Sequence, residues 1–228
     1  AWVIDVSDPS NPHEVVWIQV HGRNKGLTID GDYLYGTGCW NGIWIVNISN
    51  PVNPTIEGRW THGETSGDIA LSSVAVKGHY AFVVRYGIGG LYSIDVSDPN
   101  NPMEIDFLKY NAFNDIKIIG DYAYISVRYE GICIVNISDP TNLTIAGISK
   151  EFPSYAEGIY VYKGKSRTYA FVTGVTDGIA IFDVTDVTKP KKIHEFYTLG
   201  QANAIALKDK YMFLGARNAG IWVVNATN

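Results

Sequence analysis

The sequence is short of several things, and each shortage closes a class of function. Two cysteines in 228 residues cannot make the disulfide framework of a small secreted scaffold. Cys39 and Cys133 also lack metal-ligand spacing, and with one in a loop and one in a strand of different repeats both are expected to be unpaired. Basic residues are outnumbered, 18 Lys and Arg against 23 Asp and Glu, so the net charge of -5 leaves no electrostatic footprint for nucleic acid. No apolar run reaches the ~18 residues of a membrane span. No signal peptide heads the chain, which opens inside a repeat and is read as a mature product or a fragment. Stretches of helical period with caps are missing, so almost no helix is expected. Also missing are the Gly-x-Ser-x-Gly elbow, His-Glu-x-x-His, the P-loop and the Rossmann glycine pattern. No cofactor and no metal are therefore expected, and whether the chain is an enzyme stays uncertain, leaning towards no.

What is present is a repeat. Ile4-Asp5-Val6-Ser7-Asp8-Pro9-Ser10-Asn11-Pro12 returns as Val46–Pro54, Ile94–Pro102 and Val135–Leu143, in worn form as Phe182–Pro190, and cut short as Val224–Thr227. The marker Asp or Asn stands at 5, 47, 95, 136, 183 and 225, in steps of 42, 48, 41, 47 and 42. A period of ~40–45 residues is the length of one four-stranded propeller blade. Each copy joins a β-branched, aromatic run such as Ile43-Trp44-Ile45-Val46 to a turn in which Asp and Ser bond nearby amides and Pro presets φ.

These residues resemble the LVIVD-repeat family: a hydrophobic run, then Asp/Asn-Val/Ile-Ser, then Asp-Pro-x-x-Pro. The resemblance covers essentially the whole chain, although Val187 replaces the first Pro of the fifth copy and Leu143 the second Pro of the fourth. It implies a β-propeller of the kind found mostly in bacterial or archaeal surface or secreted proteins, and it implies no reaction.

The expected fold is all-β, a single propeller domain over residues 1–228 built from five repeats and a partial sixth. Each unit reads as strands A to D. The inner A strands are Leu27–Ile29, Val74–Val76, Ile116–Ile119, Ile159–Tyr162 and Ile205–Lys208. The B strands open on Tyr-x-Tyr, Tyr-x-Phe or a close variant. The chain starts with C and D, runs through four full units and ends with A, B and C, 21 strands in all. Five blades take 20, so one C-type strand, Ala1–Ser7 or Ile221–Thr227, is surplus if the N-terminal D strand completes the last blade. The alternative is a fragment of a larger propeller of six to eight blades.

Antiparallel blades gather the B–C and D–A loops at one end. Three of the five B–C loops carry arginine at the same place: Arg85-Tyr86, Arg128-Tyr129-Glu130 and Arg217-Asn218. Another carries Trp40, and Asp177 lies in the fifth. Arginine beside an aromatic suits a carboxylate or a sugar. The plainer reading is that each arginine pairs with a neighbouring carboxylate and each aromatic packs on the next blade. His21 and His62 occupy matching D–A positions, near Asp68, Asp115 or Glu157 of the same end, and read better as repeat-derived surface residues than as metal ligands.

Four N-glycosylation acceptors occur, at Asn47, Asn136, Asn142 and Asn225. Asn47, Asn136 and Asn225 replace the turn Asp and are expected to bond the turn backbone. Asn142, at a turn tip, is the best glycan candidate. The sequence thus supports a non-enzymatic extracellular or cell-surface module for binding or assembly, with a protein, a carbohydrate or its own copies as partner, the last through donation of the surplus strand into a filament. The alternative is a propeller enzyme of glycosidase or lyase type with its site at the channel mouth.

Overall fold

A computed structural model describes residues 1–20, 24–38, 42–62, 70–152, 154–175, 178–198 and 200–225. Among these the regular structure is 21 strands and one 3-10 turn, Arg217–Ala219. The strand count is the one read from the repeat. β1 (Trp2–Asp5) and β2 (His13–Trp17) pair antiparallel as a sheet of their own. Blade I follows: β3 (Asn24–Asp30), β4 (Tyr33–Gly38), β5 (Gly42–Asn47) and β6 (Thr55–Trp60). Blade II is β7 (Leu71–Lys77), β8 (Tyr80–Arg85), β9 (Ile88–Asp95) and β10 (Met103–Asn111). Blade III is β11 (Phe113–Ile119), β12 (Tyr122–Val127), β13 (Gly131–Asn136) and β14 (Thr144–Ser149). Blade IV is β15 (Ala156–Lys163), β16 (Thr168–Gly174), β17 (Gly178–Asp183) and β18 (Lys191–Phe196). Blade V has three strands: β19 (Ala202–Lys208), β20 (Tyr211–Ala216) and β21 (Gly220–Asn225). Each blade is a meander in sequence order, and together the five make a β-propeller fold. Two compact units divide the chain: Ala1–Val83 with Tyr92–Ile105, and Val84–Leu91 with Asp106–Asn228.

The surplus strand is not loose. β1 is laddered to β2, with Trp2 opposite Trp17 and Val3 opposite Val16. The N-terminal amine of Ala1 donates to Ile18 O at 2.9 Å, and Ile18 N donates back to Ala1 O at 2.8 Å. The edge of Trp2 to water is as expected, at 56% exposure.

The turn chemistry is as the sequence reads. Asp5, Asn47, Asp95, Asn136 and Asp183 each accept through Oδ1 from the amide two residues on, at 2.8–3.0 Å. Asp8, Asp98, Asp139 and Asp186 repeat the device in the second half of the motif at 2.9–3.0 Å, and Asn50 does so at 3.3 Å. Each repeat is thus two consecutive Asx turns. The loss of Pro at Val187 does not disturb this, because the side-chain bond and the Lys189 N to Asp186 O bond remain.

The A strands begin about three residues before the expected positions, and four of the five are shown to cross a β-bulge. Register shifts fall at Asn24/Leu27, Phe113/Ile116, Ala156/Ile159 and Ala202/Ala204. A hydroxyl on the B strand supports three of them. Thr37 Oγ1 accepts from Gly26 N at 2.9 Å, Ser126 Oγ from Asp115 N at 3.0 Å and Thr173 Oγ1 from Gly158 N at 2.9 Å. Blade V has Gly215 at this place.

The core lies between blades. Tyr124, Ile132 and Ile134 of blade III pack on Val172, Ala180 and Phe182 of blade IV. Phe171, Ile179 and Ile181 of blade IV pack on Leu214, Trp222 and Val224 of blade V. Ala1 and Val3 of β1 pack on Trp44 and Val46 of blade I. In these three pairs one sheet offers a forward face, made by the first and third apolar residues of its C strand, and the next a backward face made by the second and fourth. Glycine allows closest approach where a turn meets the next blade: a Cβ on Gly58 would stand 2.0 Å from Pro99 O, and one on Gly147 2.3 Å from Val187 O.

Candidate ligand-binding site

The B–C loop of blade III is held by main-chain bonds to the connections beside it. Arg128 N donates to Ala112 O at 2.9 Å and Tyr129 N to Ser154 O at 2.8 Å. Ala112 N reaches Gly87 O at 2.9 Å, and Phe152 N reaches Glu130 O at 3.0 Å. Tyr129 at φ 61° and Ala112 at φ 67° are two of the three non-glycine residues with positive φ among the described residues. A left-handed conformation at such residues costs about 1–3 kcal/mol and persists where the surroundings impose it.

The web holds Arg128 among aromatic rings. Its guanidinium carbon lies 3.8 Å from the centroid of Tyr155, 4.7 Å from Tyr86 and 5.3 Å from Tyr129. The Tyr86 and Tyr155 hydroxyls are 2.6 Å apart, one donating a hydrogen bond to the other. Tyr129 stands edge-on to Tyr155, at 85° and 5.7 Å, and is 60% exposed. Among the described residues the buried Arg128 Nε meets no hydrogen-bond acceptor. Burial, then the bond to Tyr86, pushes the Tyr155 phenol above its ordinary range, although the Arg128 charge pulls the other way. At neutral pH Tyr155 is therefore a hydroxyl and not a phenolate.

The other candidates separate. Glu130 does not serve Arg128: it accepts from Tyr110 Oη at 2.6 Å and from Lys150 Nζ at 3.0 Å. Burial, with the bond to Glu130 second, raises the Tyr110 phenol as well. Arg217 opens the 3-10 turn of blade V; with the Asn203 amide oriented to satisfy both its neighbours, Arg217 Nε donates to it at 2.9 Å. Arg85 ends β8, half-buried, next to Tyr86. Trp40 and Asp177 lie outside the described residues, as do Cys39, His21 and Asp68. Among the described residues the ring contacts of Arg128 form a cage, while Arg217 is turned to Asn203.

Sequence reasoning missed Tyr155, which contributes the nearest ring. It sits in the D–A connection ahead of β15, outside the B–C loops that were searched. An aromatic in the crossing segment at the same end of the blade is the signal that would have found it.

Other polar groups have local duties. His62 Nδ1 is 3.0 Å from Glu104 Oε2, beside the rings of Trp60 and Tyr92. Among the described residues no group of three His, Cys, Asp or Glu side chains is placed to hold a metal ion. Cys133 is a free thiol whose pKa burial pushes up to about 12, so it packs as a small apolar group. Asn47 and Asn136 spend their side chains on the turn, and Asn225 ends β21. Asn142 is exposed at a turn tip. Two apolar grooves, of about 670 and 660 Å³, are wedges between neighbouring sheets (β1 with blade I, and blade IV with blade V) and do not include Arg128.

The LVIVD repeat pattern matches residues 2–19, 21–62, 70–108 and 113–150, more than half of the chain. No curated protein matches it by sequence. Among solved structures, a candidate 6-phosphogluconolactonase from Bacteroides uniformis is similar with TM-score 0.71 and 14% identity over 87% of this chain. The chain spans 65% of that protein's length. A protein of unknown function from Desulfotomaculum acetoxidans gives TM-score 0.74 at 14% identity, covering 99% of this chain and 75% of the other. A chain of a nidogen/laminin complex gives 0.65 at 12%, covering 96% and 81%. At these identities the likeness is one of fold.

Proposed function

From the premise that the chain belongs to the LVIVD-repeat family, we propose that it is a non-enzymatic binding module that takes an acidic sugar at Arg128. The observation that carries this reading is the guanidinium enclosed by three tyrosine rings with a buried, unanswered Nε–H. A buried donor left unpaired costs about 1–3 kcal/mol, which an incoming carboxylate recovers. The rings keep the charge desolvated, so a carboxylate pairs with it more strongly than with a solvated arginine. Tyr129 supplies an exposed platform for a pyranose face, and the joined Tyr86 and Tyr155 hydroxyls supply polar edges.

The enzyme alternative needs two carboxylates facing one another across the sugar, or a phenol lowered enough to take a proton. Glu130 is occupied by Tyr110 and Lys150, and Tyr155 is shifted away from the phenolate. These two facts favour the binder. We place the protein at the cell surface or outside the cell, with Asn142 as the glycan carrier. The support is the family resemblance and the exposure of that acceptor; an intact mass of native material equal to the bare polypeptide would contradict it.

The test is a glycan array read against wild type and Arg128→Ala. Uronate- or sialate-bearing glycans are expected to bind and neutral ones not. The variant is expected to lose at least tenfold in affinity while its melting temperature stays within a few degrees. Equal binding by the variant, or retention of neutral glycans alone, overturns the assignment. Turnover of a bound glycan would favour the enzyme.

A further inference from the structure

The cage around Arg128 is one end of a longer strip. The B–C loop of blade III, residues 128–130, lies alongside the connection from β14 to β15, and main-chain bonds join the two. Tyr129 N donates to Ser154 O at 2.8 Å, and Phe152 N to Glu130 O at 3.0 Å. The two segments run in opposite directions, so each end of the loop meets its own part of the connection. At one end Arg128 meets Tyr155, its guanidinium carbon 3.8 Å from the ring centroid. At the other Glu130 meets Lys150, whose Nζ donates to Oε1 at 3.0 Å. Tyr129, 60% exposed, comes between them in the chain. Two residues of chain span at most about 7 Å, so the two ends share one small surface. Glu130 is also fixed from the inside: Tyr110 Oη donates to its Oε2 at 2.6 Å, and the Tyr110 ring stacks on buried Phe113 at 4.8 Å and 17°. The carboxylate thus has one bond on each oxygen, and a carboxylate offers about four acceptor positions in all. Lys150 spends one of its three donors on it. Their side chains are 28% and 63% exposed. A fixed acceptor beside a donor meets two neighbouring hydroxyls of a pyranose, one donating to the carboxylate and the other accepting from the ammonium.

We infer that the site reads a disaccharide unit, with the acidic sugar at Arg128 and a neutral, hydroxyl-bearing sugar at Glu130 and Lys150. This rests on the acidic-sugar reading of Arg128 and adds a second subsite to it. Charge makes the second sugar a neutral one. The Lys150 ammonium is already matched by Glu130, so this end offers no spare positive charge. A second sugar carboxylate would face the Glu130 carboxylate at short range, and like charges there repel. Hydroxyls meet no such penalty. The strip therefore favours chains that mix acidic and neutral sugars over chains in which every sugar is acidic.

The test is calorimetric titration of residues 1–228 with three probes: galacturonate, galacturonosyl-rhamnose and digalacturonate. Wild type is expected to bind galacturonosyl-rhamnose about tenfold tighter than galacturonate, the gain that one or two net hydrogen bonds supply. Digalacturonate is expected to bind no tighter than galacturonate. In Lys150→Ala and in Glu130→Gln the ratio of galacturonosyl-rhamnose to galacturonate affinity should fall to within about twofold of one. Lys150 is exposed, so Lys150→Ala keeps the test open even where Glu130→Gln disturbs Tyr110, and melting temperature checks both folds. Arg128→Ala should lose all three probes. Equal affinity of wild type for galacturonate and galacturonosyl-rhamnose, both lost in Arg128→Ala, overturns the second subsite and leaves the acidic-sugar site standing. A disaccharide gain that survives Lys150→Ala puts the second sugar elsewhere and overturns it too. Digalacturonate binding tighter than galacturonosyl-rhamnose overturns the neutral assignment. If wild type binds none of the probes, the uronate reading of Arg128 itself fails, and the subsite falls with it.

Discussion

β13 and β21 are the same strand of the same repeat, yet they live in different surroundings. Gly131–Val135 is wholly buried, with Ile132 and Ile134 at 0% exposure. In Gly220–Asn225 every other side chain faces water, with Ile221 at 73%. The sequences, Gly-Ile-Cys-Ile-Val-Asn and Gly-Ile-Trp-Val-Val-Asn, give no reason for the difference. A single repeat cannot bury its own apolar faces; a neighbour on each side does it. Strand chemistry therefore sets the pattern of the fold, while stability is a property of pairs of blades.

The largest effect should come from breaking that comparison in the core. Ile134→Ala empties a fully buried position and should cost about 2–5 kcal/mol, whereas Val223→Ala on the bare face should stay within about 0.5 kcal/mol. Denaturant unfolding of the two variants, read as free energies, checks the contrast. Next comes the contact between a turn and the adjoining blade. Gly147→Ala brings a Cβ within 2.3 Å of Val187 O, backbone that cannot step aside. Overpacking of this kind costs about 1–3 kcal/mol, and the same shift in midpoint is expected for Gly58→Ala.

A similar size is expected at the bulge of blade IV. Thr173→Val keeps the shape of the side chain but removes the oxygen that receives Gly158 N. The amide is then buried and unpaired, a loss of about 1–3 kcal/mol. Gly215 in blade V already lacks this oxygen, so Gly215→Ala, whose Cβ would meet only Ala204 Cβ at 3.4 Å, should change far less. Urea melts of both variants sharpen the contrast between an inner blade and the last one.

The smallest effect is the turn's dependence on pH. In Asp8, Asp95, Asp139 and Asp186 the neighbouring hydroxyl, and then the amide, hold the carboxyl below its ordinary value. A depressed pKa gives stability that is complete above the unfolded value near 3.8 and is lost as pH falls through the folded values beneath it. Blade I, with Asn47 and Asn50, makes the same turns without a proton to gain. Asp139→Asn with Asp186→Asn should therefore leave the melting temperature near neutral pH almost unchanged and soften its fall below about pH 4. An unchanged acid limb would show that these carboxylates contribute nothing to it.

Much of the fold was legible because the repeat encodes it locally. The Asp/Asn, Ser and Pro positions state their turns, and alternating C-strand residues state their two faces. The bulges were not legible, since the residues that make them are unremarkable by composition and the hydroxyl that supports them lies on the next strand. At the site, Tyr86, Arg128 and Tyr129 came from matching positions in the repeat. Tyr155 did not, because its place beside Arg128 depends on how one loop crosses another. The shared arginine position does not carry a shared contact: Arg217 is turned to Asn203 within its own blade.

Native-state hydrogen exchange of the peptides spanning 122–127 and 211–216 tests most directly the claim that neighbours confer the stability of each blade. Both B strands are laddered on two sides in their sheets, but on β20 Tyr211 and Phe213 leave one face uncovered, at 40% and 37% exposure. The expected result is slow exchange of 122–127, which is buried along almost its whole length. The 211–216 peptide should exchange much faster. Equal protection of the two peptides in dilute solution would contradict the account.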